Sequence, residues 1–111
     1  MDSWWYNLSK NEMDTPCLVL DIDHFEKNLR YMYNWSETIG KKLRPHAKTH
    51  KCSEIAKRQL AEGNCAGVCA AKISEAEVLL ESGIKVILIT SPVVTPFKIN
   101  RLIGFRNHGS R

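Results

Sequence analysis

Four glycines constrain this chain more than any other feature. Gly40, Gly63, Gly83 and Gly104 each follow a helix-like segment and recur at intervals of 20 to 23 residues. A glycine just past a helix supplies the left-handed residue that lets the chain turn back. Four strand-like runs accompany them: CLVLDI (17–22), KLRPHAK (42–48), CAGVCAA (65–71) and KVILIT (85–90). Each run leads into helical sequence. Strand and helix in alternation predict a parallel sheet with helices packed on it, because parallel neighbours need a crossover.

The helical segments carry their own signals. Asp23, with Glu26 three residues on, is the expected cap of the first, and Phe25, Leu29, Met32 and Tyr33 form its apolar stripe. The second, SEIAKRQLAE, places Ile55, Ala56, Gln59 and Leu60 on one side. The third opens with Ser74-Glu75-Ala76-Glu77, which reads as a capping box. The fourth, TPFKINRLIGF, has Pro96 near its start, where a missing N–H costs nothing.

Two architectures fit this order: an open doubly wound sheet and a (β/α)8 barrel. Open-sheet nucleotide folds usually carry a glycine-rich turn after the first strand. Here that turn is DIDHFEK, with no glycine, which favours the barrel. A complete barrel takes about 250 residues, and this chain has 111. The expected fold is therefore α/β, the first four strand–helix units of a TIM-type barrel, truncated. Residues 1–13 read as an N-terminal extension, 14–105 as the partial barrel and 106–111 as a polar tail. A small self-sufficient four-stranded domain is the alternative.

Composition narrows the function classes. Apolar residues make up 43% and charged residues 25%, the balance of an ordinary soluble globular protein. The net charge of +4 comes from scattered lysines and arginines, so nucleic-acid binding has little support. No apolar run is long enough to span a bilayer and no secretory leader is visible, so the expected location is cytoplasmic, with an organelle left open. Cys17, Cys52, Cys65 and Cys69 then read as reduced, mostly buried thiols. Trp4, Trp5 and Tyr6 read as an anchor onto a neighbouring surface or a partner site.

Chemistry concentrates in KKLRPHAKTHKC, residues 41–52. Arg44, His46, Lys48 and His50 alternate with Leu43, Pro45, Ala47 and Thr49. If the segment is extended, the four nitrogen-bearing groups share one face. Lys48 falls at the C-terminal end of the second strand, the end that carries the active site in parallel barrels. A neutral lysine amine attacks aldehydes and an ammonium does not, so a catalytic Lys48 should be sheltered from water. His46, two residues away, can exchange a proton near neutral pH. The bland alternative is a solvated basic strand. His46-x3-His50 and Cys65-x3-Cys69 lack the spacing of a zinc ribbon, finger or metalloprotease helix, and no nucleophile elbow occurs.

Three segments in order, DTPCLVLDIDHFEKNL, RPHAKTHKC and CAAKISEAEVLLESGI, resemble the D-threonine aldolase and D-serine dehydratase group, which shares the alanine racemase N-terminal barrel. The similarity runs from about Asp14 to Phe105. It implies a PLP-binding barrel (PLP, pyridoxal 5'-phosphate) in which Lys48, not Lys51, holds the cofactor covalently. His46 and Arg44 become second candidates for the cofactor site and Lys72 a weaker third.

The implied activity is a lyase that splits β-hydroxy-D-amino acids into glycine and an aldehyde. The alternatives are deamination of D-serine to pyruvate and ammonia, a non-catalytic PLP carrier, or an inactive fragment. The resemblance also implies a homodimer, a divalent metal and a C-terminal β domain that supplies the metal ligands. No residue of this chain is expected to ligate the metal, and that domain is expected to be missing after Arg111.

Overall fold

The computed structural model describes residues 7–108. The elements are α1 (Ile22–Thr38), α2 (Ser53–Ala61), β1 (Val68–Ala70), α3 (Ile73–Glu81), β2 (Ile87–Ile89) and α4 (Pro96–His108). Strands β1 and β2 pair in parallel, Val68 beside Ile87, Cys69 beside Leu88 and Ala70 beside Ile89. The segment 42–48 is the third neighbour, joined to the β1 side by parallel bridges Leu43–Cys65 and His46–Cys69. Backbone hydrogen bonds from Ala66 to Leu43, Cys69 to Pro45 and Ala47 to Cys69, at 2.7–2.8 Å, stitch this seam.

The seam is interrupted for two local reasons. Pro45 has no N–H to donate. The bridges also span unequal lengths of chain, from Leu43 to His46 on one side and from Cys65 to Cys69 on the other. Gly67, at φ +127°, lies within the longer stretch, where an extra residue must be absorbed. A Cβ at Gly67 would lie 2.8 Å from Val86 Cγ1, 3.0 Å from Arg44 Nη1 and against the Val86 carbonyl oxygen. Only glycine fits there.

Alternation sorts side chains between the two faces of this small sheet. Ala47, Val68 and Ala70 face the helices and form the core with Ala56, Ala76, Leu79 and Ile84, while Leu60, Ile87 and Ile89 pack at its edge. Val68, Ala56 and Ala70 are completely buried. Leu88 of β2 and Val86 just before it are exposed. One face is thus covered by helices and the other lies open around Leu88.

Several expectations need correction. The run 17–22 forms no strand: residues 17–21 pair with no neighbour among the described residues, Leu18 is fully exposed, and Ile22 already begins α1. An extended apolar run becomes a strand only when another strand takes its N–H and C=O groups. The α1 cap is Asp21, whose Oδ1 accepts the His24 N–H at 3.0 Å, and not Asp23, which lies in the first turn. Helix α3 starts at Ile73, and it is Glu75 that reaches back to the N–H groups of Ala71 (2.8 Å) and Lys72 (3.2 Å).

Gly40, Gly63 and Gly83 do end α1, α2 and α3 with positive φ, but Gly104 lies inside α4. All four cysteines are free thiols, and only Cys69 is buried; Cys17 is exposed. Trp4, Trp5 and Tyr6 lie outside the described residues.

Polar ties fix α1 on this frame. Tyr33 is buried, and its hydroxyl donates to the Gln59 carbonyl of α2. Burial, followed by the neighbouring Cys65 thiol, pushes its ionisation up. Ser36 is fully buried; its hydroxyl donates to the Tyr33 carbonyl at 2.8 Å and accepts from Asn64 Nδ2 at 2.6 Å. Helix α4 is held to α3 by the Arg101–Glu77 ion pair, with the guanidinium also 5.4 Å from the Phe97 ring centre. Among the described residues no helix is long and apolar enough to cross a membrane.

Candidate functional site

The alternating basic segment stays extended only as far as His46. Residues 47–50 turn, closed by a hydrogen bond from the Lys51 N–H to the Ala47 carbonyl at 2.8 Å, and Lys51 takes a left-handed φ of +49°. The four nitrogen-bearing side chains therefore do not share one face. Arg44 reaches toward Gly67, and His46 bonds across the sheet to Thr90, just past β2. His50 swings to α2, where Nε2 meets Gln59 Oε1 at 3.1 Å. His46 and His50 consequently form no metal pair, and among the described residues no three His, Cys, Asp or Glu side chains converge as metal ligands.

Hydrogen bonds define the state of the His46 ring. Its Nδ1 accepts the Lys48 backbone N–H at 3.3 Å, so the ring proton of the neutral form sits on Nε2. Nε2 lies 3.1 Å from Thr90 Oγ1, which can accept that proton while donating its own to the Ala70 carbonyl at 3.3 Å. His50 repeats the local half of the pattern, its Nδ1 accepting the Cys52 N–H at 3.1 Å.

Lys48 follows on the turn, at the C-terminal end of its strand segment, and is exposed. The shelter expected for its amine is not supplied by the described residues. Among those residues no carboxylate pairs with it. The next two lysines along the chain are engaged: Lys51 Nζ with Glu75 Oε1 and Lys57 Nζ with Glu54 Oε1, each at 2.9 Å. The hydrogen bond from Lys51, reinforced by the Ala71 and Lys72 N–H groups, holds the Glu75 carboxyl at about 2, below its ordinary 4.5, although burial opposes this. Lys72 caps α3 and is exposed, near the same end of the sheet.

The site thus joins an accessible primary amine to an imidazole and a hydroxyl at the C-terminal ends of parallel strands. Thr90 and Glu75 were not singled out as site residues from sequence. Thr90 closes the KVILIT run, and its position at a strand's C-terminal end is the one signal that could have marked it.

Parallel strands alternating with helices, with polar groups at the strands' C-terminal ends, define an α/β protein. Residues 20–106 match the family model described as alanine racemase, N-terminal domain, and the chain belongs to that family.

Similar proteins include the 3-hydroxy-D-aspartate aldolase of Paracoccus denitrificans, 42% identical over 93% of this chain and 27% of that protein. The D-threonine aldolase of an Arthrobacter species is 52% identical over 78% of this chain and 23% of its own length. Among solved structures, the D-threonine aldolase of Filomicrobium marinum superposes with a TM-score of 0.80 at 49% identity, covering 83% of this chain and 24% of its own. D-threo-3-hydroxyaspartate dehydratase of Delftia sp. HT23 gives 0.83 at 31% identity, covering 88% and 25%. The chain spans about a quarter of the length of these relatives.

Proposed function

We propose that the chain carries the cofactor-holding lysine of a PLP-dependent lyase that cleaves β-hydroxy-D-amino acids to glycine and an aldehyde, and that this lysine is Lys48. The observation that carries the reading is the contrast between two amines of one segment. Lys48 stands at the C-terminal end of its strand segment without a carboxylate partner among the described residues, while Lys51 is tied to Glu75. An aldehyde cofactor requires an amine that it can reach.

The residues present fit the group: a primary amine for its aldehyde, carried on a turn whose backbone the His46 ring holds. When bound, PLP withdraws electrons from the substrate α-carbon. Lys48 binds and positions the cofactor. His46 holds a proton on Nε2 and uses Nδ1 to fix the backbone of Lys48 itself. Arg44 packs by Gly67, farther from the strand ends, and there contributes positive charge beneath the site.

In the net reaction the Cα–Cβ bond breaks, the β-hydroxyl loses its proton and becomes the aldehyde carbonyl, and Cα gains a proton to give glycine. The aldolase names of the relatives at 42% and 52% identity support this reaction. A dehydratase reading draws on the Delftia relative, with loss of the β-hydroxyl as water and release of an oxo acid and ammonia. Among the described residues no three ligand-type side chains converge, so these residues alone do not form a divalent-metal site.

Incubation with PLP, reduction with borohydride and peptide mapping tests the assignment. The expected product is a pyridoxyl group on Lys48 that disappears in Lys48→Ala. Equal labelling of the other lysines with none preferred overturns the assignment. Acetaldehyde released from D-threonine supports the aldolase, whereas pyruvate from D-serine without aldehyde favours the dehydratase.

A further inference from the structure

We propose that Thr90 is a positioning residue that acts through His46 to fix the turn presenting Lys48; its importance for catalysis rests on the cofactor reading above. Three hydrogen bonds make one directed chain. The Thr90 hydroxyl donates to the Ala70 carbonyl at 3.3 Å. His46 Nε2–H donates to Thr90 Oγ1 at 3.1 Å. The Lys48 backbone N–H donates to His46 Nδ1 at 3.3 Å.

Each group in this chain has one role, and the roles interlock. The Lys48 amide needs an acceptor, which forces the ring proton onto Nε2. That proton needs an acceptor in turn, and a hydroxyl whose own hydrogen is directed elsewhere provides it. Ala70 is the elsewhere: it receives the Thr90 backbone N–H at 2.9 Å as well as the hydroxyl. Thr90 is thereby clamped to β1 at two points. The imidazole cannot rotate without breaking bonds at both of its ends. A rigid sheet carbonyl is linked through two side chains to the backbone of the residue whose amine must be aimed. The link spans 44 residues between His46 and Thr90.

The chemistry predicts an order of variants that packing alone does not. Thr90→Val keeps the shape and removes the hydroxyl. Thr90→Ser keeps the hydroxyl and removes a methyl group. If the hydroxyl is the working part, Thr90→Ser resembles the unmutated protein and Thr90→Val is impaired. If Thr90 only fills space, the order reverses.

The test uses the 111-residue chain labelled with 15N at about pH 8.5, above the ordinary imidazole range. Long-range ring correlations should show His46 protonated on Nε2 in the unmutated protein and in Thr90→Ser. Hydrogen exchange of the Lys48 amide should be about fivefold faster in Thr90→Val and unchanged in Thr90→Ser. Should Thr90→Val not fold, Thr90→Ala is read in its place. A neutral His46 protonated on Nδ1, or an unchanged Lys48 amide in the hydroxyl-free variant, overturns the proposal.

The rate of borohydride-trapped PLP labelling at Lys48 should follow the same order, with the valine variant slowest. Absence of labelling at Lys48 in every protein removes the cofactor reading, while ring proton and amide exchange still decide the role of Thr90.

Discussion

Lys51 Nζ donates to Glu75 Oε1 at 2.9 Å, joining the turn after the basic segment to the start of α3. Glu75 also closes the helix, since its other oxygen accepts the Ala71 and Lys72 N–H groups. One carboxylate therefore neutralises a lysine and satisfies the two backbone donors just ahead of α3. The consequence is chemical selection within one short segment. A general amine reagent should modify Lys48 about two- to fivefold faster than Lys51, as expected for the loss of one exposed ion pair. Glu75→Ala should bring the two rates together, as read by peptide mapping over a time course.

Acid should weaken this junction first. The Glu75 carboxyl is held at about 2 in the folded protein, against an ordinary 4.5. A depressed folded-state value means that the unfolded chain takes up the proton more readily. Its contribution is complete above about pH 4.5 and is lost as pH falls toward about 2. Thermal melts across that range should show a steeper fall for the unmutated protein than for Glu75→Ala. At neutral pH Glu75→Ala should cost about 1 kcal/mol through the lost N-terminal cap.

Gly67→Ala should be far more damaging than its size suggests. Position 67 has φ +127° and is buried, and a Cβ there meets Val86 and the Arg44 guanidinium. Strain and overlap together should cost at least about 2 kcal/mol. Denaturant unfolding measures the loss, and Gly83→Ala serves as comparison because it has positive φ but open space.

Tyr33→Phe isolates the tie between α1 and α2. The ring keeps its buried place while the hydrogen bond to the Gln59 carbonyl disappears. That carbonyl retains the Cys65 thiol at 3.5 Å as a weak partner. The expected loss is about 1 kcal/mol, and increased hydrogen exchange should be confined mainly to α1.

Much of the architecture is legible in residue pattern, and the failures are local. The apolar runs at 65–71 and 85–90 contain β1 and β2 because their alternate residues find a helical layer to bury against. CLVLDI is comparably apolar but has no sheet neighbour among the described residues, and pairing is a property of two segments rather than one. Gly40, Gly63 and Gly83 were legible as helix ends because the chain reverses there. Gly104 is continuous with α4, where its flexibility is not used.

For the site, the position of Lys48 at a strand's end followed from spacing. The turn at 47–50 did not, because it depends on the Lys51 N–H reaching back to Ala47 and on the His46 ring accepting from Lys48. Thr90 was hidden for a related reason: its partner is far away in sequence. A sequence written as a line does not display bonds that form across a sheet.

The left-handed backbone at Lys51 gives the segment a division of labour. By reversing the path immediately after the turn, it sends one ammonium to brace a helix while its near twin stays available to reagents. Two residues with the same intrinsic nucleophilicity become, respectively, mortar and tool, and the difference originates in a single rotation about an N–Cα bond.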